Sequence, residues 1–141
     1  MSPRGEPRGA GAPYLLDTHI WFWYVLASDR LPSGLREALD AAPGERWLSP
    51  ISIWELGVLE ERGHVRLVGG LRSWVQEALT RLPLRQAELT REATMLSHEL
   101  DLGVGDPADR FLAATALVHD LTLLTVDERL STAGWLRTRS C

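Results

Sequence analysis

GVGDPADRFLAATALVHDLTLLTVD, residues 103–127, decides how the rest of the chain is read. Its left part is built like a helix start. Asp106 suits the N-cap, Pro107 the first helical position, and Asp109 the first turn, near the positive end of the helix dipole. The apolar run that follows predicts a helix over residues 107–119. Residues 121–126 (LTLLTV) then read as a largely apolar strand that ends at Asp127. Taken alone, capping accounts for both Asp106 and Asp109, and no chemistry is required of them.

The same strand-then-acid pattern stands at the front of the chain. Residues 14–16 (YLL) form a short apolar strand ending at Asp17, and residues 19–27 (HIWFWYVLA), apolar nearly all round, predict a buried helix. Further on come a helix over 35–42, a strand over 46–48, and a helix opened by Ser49-Pro50 that runs to about residue 62 and stops at Gly63. A helix over 71–80, a strand over 82–84 whose Pro83 points to an edge, and a helix over 87–100 complete the reading. Short apolar strands alternating with helices imply a parallel sheet covered on both faces.

That architecture changes the meaning of the acids. Ligands of open parallel sheets bind beyond the carboxyl ends of the strands. Asp17 and Asp127 fall at that rim, and Asp106 and Asp109 fall at the start of the helix feeding the last strand. Glu55, inside ISIWELGVL, is a lone carboxylate in an apolar helix; it lies either on an exposed stripe or against a partner that offsets its burial. Such a cluster repels itself unless a member is protonated or a cation binds. Oxygen donors alone suit Mg²⁺ or Mn²⁺, ions that serve phosphodiester hydrolysis.

The bulk composition bounds the rest. A chain of 141 residues with 45% hydrophobic and 24% charged residues is read as one soluble domain. Its net charge of −4 offers no basic field for nucleic acid, which argues against a sequence-reading DNA-binding module but not against a nuclease that uses metal ions. Cys141 is the sole cysteine, so neither a disulfide framework nor a cysteine zinc site is expected, and a cytoplasmic location fits. No apolar run is long enough for a membrane span. Residues 1–12, rich in Gly, Pro and Arg, are expected to be a flexible leader, with a single domain over 13–141.

Other chemistries find no support. The histidines His19, His64, His98 and His119 lack metal-ligand spacing, and His98-Glu99 fails as a zinc-protease motif because Leu102 stands where the second histidine belongs. His19 replaces the second aspartate of a haloacid-dehalogenase-type phosphatase, and the absence of lysine excludes a response-regulator receiver. No glycine-rich phosphate loop is present, and no serine sits in a nucleophile elbow. Trp21 and Trp23, two apart on one helix, cannot face the same way; one belongs to the core and the other is free to cover a groove or an interface. Arg62, Arg66, Arg72 and Arg110 are candidate phosphate contacts, with Arg110 also placed to temper the acid beside it.

YLLDTHIWFW, SPISIWELGVL, DPADRFLAATAL and LLTVDERL together resemble, in order and spacing, the motifs of PIN-domain ribonucleases, most of all the VapC-type toxins of bacterial toxin–antitoxin pairs. The resemblance implies a three-layer α/β/α sandwich on a mainly parallel sheet and an acidic pocket holding Mg²⁺ or Mn²⁺. Carried over by motif position, the catalytic and metal-binding acids are Asp17, Glu55, Asp109 and Asp127. Asp106 is a cap, a supporting group or an outer ligand, and Thr125 is placed to hold Asp127 or a water. The implied partners are RNA, a cognate antitoxin and a second copy of the chain. Two departures concern contacts rather than the core acids: Val104 and Gly105 stand where related sequences often carry a histidine, and Leu59 stands where they often carry a lysine. Two other readings remain beside this one: a catalytically silent interaction module, and a DNA-directed nuclease on the same fold.

Overall fold

The computed structural model describes residues 11–103 and 105–141; Val104 and residues 1–10 of the expected leader lie outside the described residues. The chain runs β1 (Tyr14–Leu16), α1 (Thr18–Val25), α2 (Ser33–Asp40), β2 (Arg46–Leu48), α3 (Pro50–Glu61) and α4 (Leu71–Arg81). It continues with β3 (Arg85–Gln86), α5 (Arg91–Ser97), α6 (Pro107–His119), β4 (Thr122–Leu124), α7 (Glu128–Ser131) and β5 (Thr138–Arg139). The strands form one sheet ordered β3-β2-β1-β4-β5, and every pairing is parallel. β1 lies at its centre, in register with β4 so that Leu15 faces Leu123 and Leu16 faces Leu124.

Side-chain alternation along these strands divides the core in two. Tyr14, Leu16, Leu48 and Leu124 join Ile20, Trp21, Leu35, Leu39 and Leu56 on one face, under α1 to α4. Leu15 and Leu123 point the other way, to Leu112, Ala113 and Ala116 of α6, Leu130 of α7 and Leu136. Two helical layers thus enclose a sheet whose central strands are buried on both sides, which is why YLL and TLL carry little polar alternation. This is the expected α/β/α sandwich. Among the described residues no helix is long and apolar enough to cross a membrane.

The helix starts follow the expected chemistry. The Ser49 hydroxyl accepts the Ile51 N–H at 3.1 Å with Pro50 in the first turn, and Asp106 accepts the Ala108 N–H at 2.9 Å with Pro107 behind it. Gly63 ends α3 at φ 75°, a left-handed conformation that costs glycine nothing.

Three expectations need correction. The strand expected over 82–84 lies at Arg85–Gln86 instead; Leu82 terminates α4, and Leu82 and Leu84 pack against the core while Pro83 has no N–H to give a ladder. That strand is indeed an edge. The helix expected over 87–100 begins only at Arg91, because Ala87 still donates to Leu48 of the sheet and Thr90 caps the helix at Ala93 N–H. Finally, α7 and β5 were not anticipated. Both are short and mostly polar, and β5 is held by two bonds to β4, Leu123 N–H to Arg137 O and Thr125 N–H to Arg139 O.

Candidate active site: an acidic pocket at the switch point of the sheet

From β1 the sheet grows to one side through β2 and β3, and to the other through β4 and β5. The crevice between the carboxyl ends of β1 and β4 is therefore the topological switch point, where loops diverge and leave room for a ligand. A cavity of about 390 Å³ opens there. Asp17, Glu55, Asp106, Asp109 and Asp127 line it, together with His19, Trp23, Val126 and Arg129. All the acids singled out in the sequence are thus brought to one place. Arg62, Arg66 and Arg72 are exposed and do not line it.

Each acid is positioned by a specific local device. Asp17 leaves β1 through a backbone bond to Leu124 O and caps α1, accepting the Thr18 N–H at 2.7 Å. Its other oxygen accepts the Thr125 hydroxyl at 2.6 Å. That hydroxyl in turn accepts the Asp127 N–H at 3.0 Å, so Thr125 links the acids that end β1 and β4. Asp127 caps α7, its carboxylate accepting from the N–H groups of Arg129 and Leu130. Glu55 comes from the middle of α3, and the buried Thr18 donates its hydroxyl to it at 2.5 Å. Thr18 was not singled out in the sequence; its signal was the position next to Asp17. Asp109 sits one turn into α6, nearly buried, with its N–H on Asp106 O at 3.0 Å. Asp106 caps α6 and also lines the pocket, close enough to share a hydrogen bond with Glu55.

The crowding shows in the protonation equilibria. Burial raises Asp17 above the usual carboxylate range, against the pull of its Thr125 and Thr18 bonds. Burial likewise drives Glu55 up to about 8, helped by the hydrogen bond that its protonated carboxyl donates to Asp106 and by the charges of Asp106 and Asp17. Asp109 rises to about 7, through burial first and then repulsion by Asp17, Asp127 and Asp106. Desolvation and like charge act together, the combination that marks functional clusters.

Among the described residues a guanidinium opposes them. The Arg129 guanidinium reaches Asp109 at 2.6 Å and stands 3.9 Å from Asp127. Sequence reading gave this role to Arg110, and that is corrected here. Arg110 turns away from Asp109 and donates to the carbonyls of Ser97, Leu100 and Gly103, clamping the loop that leads into α6. Neighbours in sequence on a helix point about 100° apart, so adjacency to Asp109 was a poor guide. Gly105 makes room for the true partner: a Cβ there would fall 1.8 Å from Arg129 Nη1.

Among the described residues no three acids already stand as a ligand shell around one point; their oxygens are engaged by Thr18, Thr125, Arg129 and backbone N–H groups. The donor set nevertheless fits a hard divalent cation. It is all oxygen, it carries more negative charge than Arg129 offsets, and its members are held partly protonated for want of positive charge. Asp17, Glu55, Asp109 and Asp127 are the groups that could hold such an ion.

Known proteins share both sequence and shape. The family model described as PIN domain matches residues 14–136. Ribonuclease VapC22 of Mycobacterium tuberculosis is 32% identical over 117 residues, covering 82% of this chain and 88% of that protein. The structure of VapBC2 from Rickettsia felis bound to a DNA fragment from their promoter has a TM-score of 0.66 at 18% identity, covering 89% of this chain and 96% of that one. A toxin–antitoxin complex from Klebsiella pneumoniae gives 0.64 at 20% identity, over 90% and 96%. The structural likenesses speak for the fold, and the sequence match extends from the first strand to the last buried leucine. The chain belongs to the PIN-domain family.

Proposed function

We propose that the protein is an endoribonuclease dependent on Mg²⁺ or Mn²⁺, and the toxin of a type II toxin–antitoxin pair. The observation that carries this reading is the convergence of Asp17, Glu55, Asp109 and Asp127 on one pocket at the switch point of the sheet. It is supported by the similarity to a protein named as a ribonuclease and to the fold of toxin–antitoxin complexes. In this reading a cognate antitoxin and a second copy of the chain are the protein partners.

The four acids hold the ion. Activation of a water and stabilisation of charge on the phosphate are the chemistry such an ion supplies when bound. The chain's own part is orientation. Thr125 fixes the rotamer of Asp17, Thr18 that of Glu55, and the Asp106 cap sets the helix start from which Asp109 projects. No side-chain nucleophile is needed.

Arg129 competes for the same acid. Its guanidinium occupies one oxygen of Asp109 at 2.6 Å, so its charge would oppose an ion held at that carboxylate. Arg129→Ala is therefore expected to tighten Mn²⁺ binding by roughly 3- to 10-fold, the scale of a partly exposed ion pair. Gly105→Ala should act the same way, because the new Cβ displaces the flexible end of Arg129 rather than backbone. Calorimetric titration reads both; unchanged or weaker Mn²⁺ affinity in the two variants would refute the competition.

The substrate is tested by offering single-stranded RNA and DNA of one sequence side by side with Mn²⁺. Cleavage of RNA alone supports the proposal. Equal cleavage of both moves the protein to the DNA-directed reading.

A further inference from the structure

α1 carries more aromatic surface than the core uses. Trp21 is fully buried and packs edge-on against Trp74, with ring centroids 5.6 Å apart, which anchors the helix. His19 and Trp23 lie four apart, on another face, and both line the acidic pocket. His19 is exposed and Trp23 half-buried. Their rings sit 5.6 Å apart, tilted by 49°, and the guanidinium carbon of the exposed Arg30 lies 5.9 Å from the Trp23 ring. Two π faces and a cation thus form a ledge that begins two residues after Asp17.

We propose that His19, Trp23 and Arg30 form a nucleobase-binding ledge, which takes an unpaired base of RNA beside the acidic pocket. The proposal rests on the ribonuclease reading and names its substrate class, single-stranded RNA. The electrostatics argue for it. A chain of net charge −4 with no lysine cannot hold a strand beside an acidic pocket by a general basic field. Stacking supplies affinity without charge, and tolerates sequence because every base has a π face. Only bases splayed from a helix can use it, so loops and single strands bind and duplexes do not. Arg30 adds a cation–π partner and a phosphate contact in one side chain.

The test uses the full-length protein and variants His19→Ala and Trp23→Leu; leucine keeps apolar bulk against the core while removing the ring. Binding of a short fluorescein-labelled single-stranded RNA is followed by anisotropy in EDTA, and cleavage of the same RNA with Mn²⁺ is followed in parallel. Each variant should weaken binding about 10-fold, the scale of one lost base stack, and the loss in cleavage should appear in KM rather than kcat. An abasic nucleotide beside the cleaved bond should weaken wild type by the same factor and leave Trp23→Leu no worse. Unchanged binding and KM in both variants overturns the ledge, as does equal binding of duplex RNA. Loss of binding to a protein partner with RNA parameters intact overturns it too. Trp23-dependent RNA binding without any cleavage would sink the ribonuclease reading and leave the ledge standing; cleavage indifferent to Trp23 and His19 would do the reverse.

Discussion

Asp17→Asn is expected to abolish RNA cleavage, by roughly a thousandfold or more as for loss of a principal electrostatic group, and at the same time to make the metal-free protein more stable. The two effects have one cause. Asparagine keeps the size of the side chain; its oxygen can still accept from Thr18 N–H, and its amide can donate to the Thr125 hydroxyl oxygen with that hydroxyl turned round, so the cap and the link between β1 and β4 survive. What disappears is a charge that burial disfavours and that pushes up Glu55 and Asp109. Removing it relieves the cluster and deprives an ion of a ligand. A structural acid would behave in the opposite way: its loss would lower stability and leave chemistry alone. Thermal melting in EDTA and a cleavage assay on the same preparation separate the two, and a destabilised, active variant would count against the site.

The second large effect is the response to divalent ions and its dependence on pH. For a carboxylate whose pKa is raised by folding, the native state is favoured while the group is protonated. That contribution is complete below the unfolded value, 3.8 for Asp109 and 4.5 for Glu55, and is lost as pH climbs through about 7 and about 8. Metal-free protein should therefore lose stability between pH 5.5 and pH 8.5. Both carboxyls keep some contact with solvent, whose screening holds the loss to about 1–2 kcal/mol, or roughly 3–8 °C in Tm for a domain of this size. Mn²⁺ or Mg²⁺ should restore most of it, with the gain largest at the alkaline end, where fewer protons compete and the apo-protein is most strained by repulsion. EDTA should abolish cleavage, and Zn²⁺ should restore it poorly. A melting temperature indifferent to both pH and ions would favour the silent interaction module.

How much of this was legible in the sequence depended on whether the signal was local. β1 and β4 were readable because buried parallel strands are short apolar runs, and Asp17 and Asp127 mark their ends. The starts of α3 and α6 were readable because a cap followed by proline is chemistry within three residues. The edge strands were not. Arg85–Gln86 is exposed, Thr138–Arg139 is half-buried, and neither pair carries a hydrophobic signature, since backbone pairing and polar side-chain contacts place them. The division of labour between Trp21 and Trp23 followed from helical geometry, but which of them entered the core required the fold.

The site divides the same way. The five acids that line it were visible as strand ends, a helix start and a misplaced glutamate, because each has an abnormal local setting. Their hydroxyl supports were half visible: Thr125 by motif, Thr18 not at all. The approach of Arg129 to Gly105 and Asp109 escaped notice because it joins two segments that meet only when α6 packs beside β4. Asp106 had posed a choice between cap and site. The structure shows the cap, and the bond that caps α6 also leaves the carboxyl beside Glu55.

The central claim is that these acids form a metal-dependent RNA-cleaving site. It is tested most directly by incubating one RNA with wild type in Mn²⁺, wild type in EDTA, and Asp17→Asn in Mn²⁺, all from the same purification. The account expects cleavage in the first reaction alone. Cleavage by Asp17→Asn at the wild-type rate, or by wild type undiminished in EDTA, would contradict it.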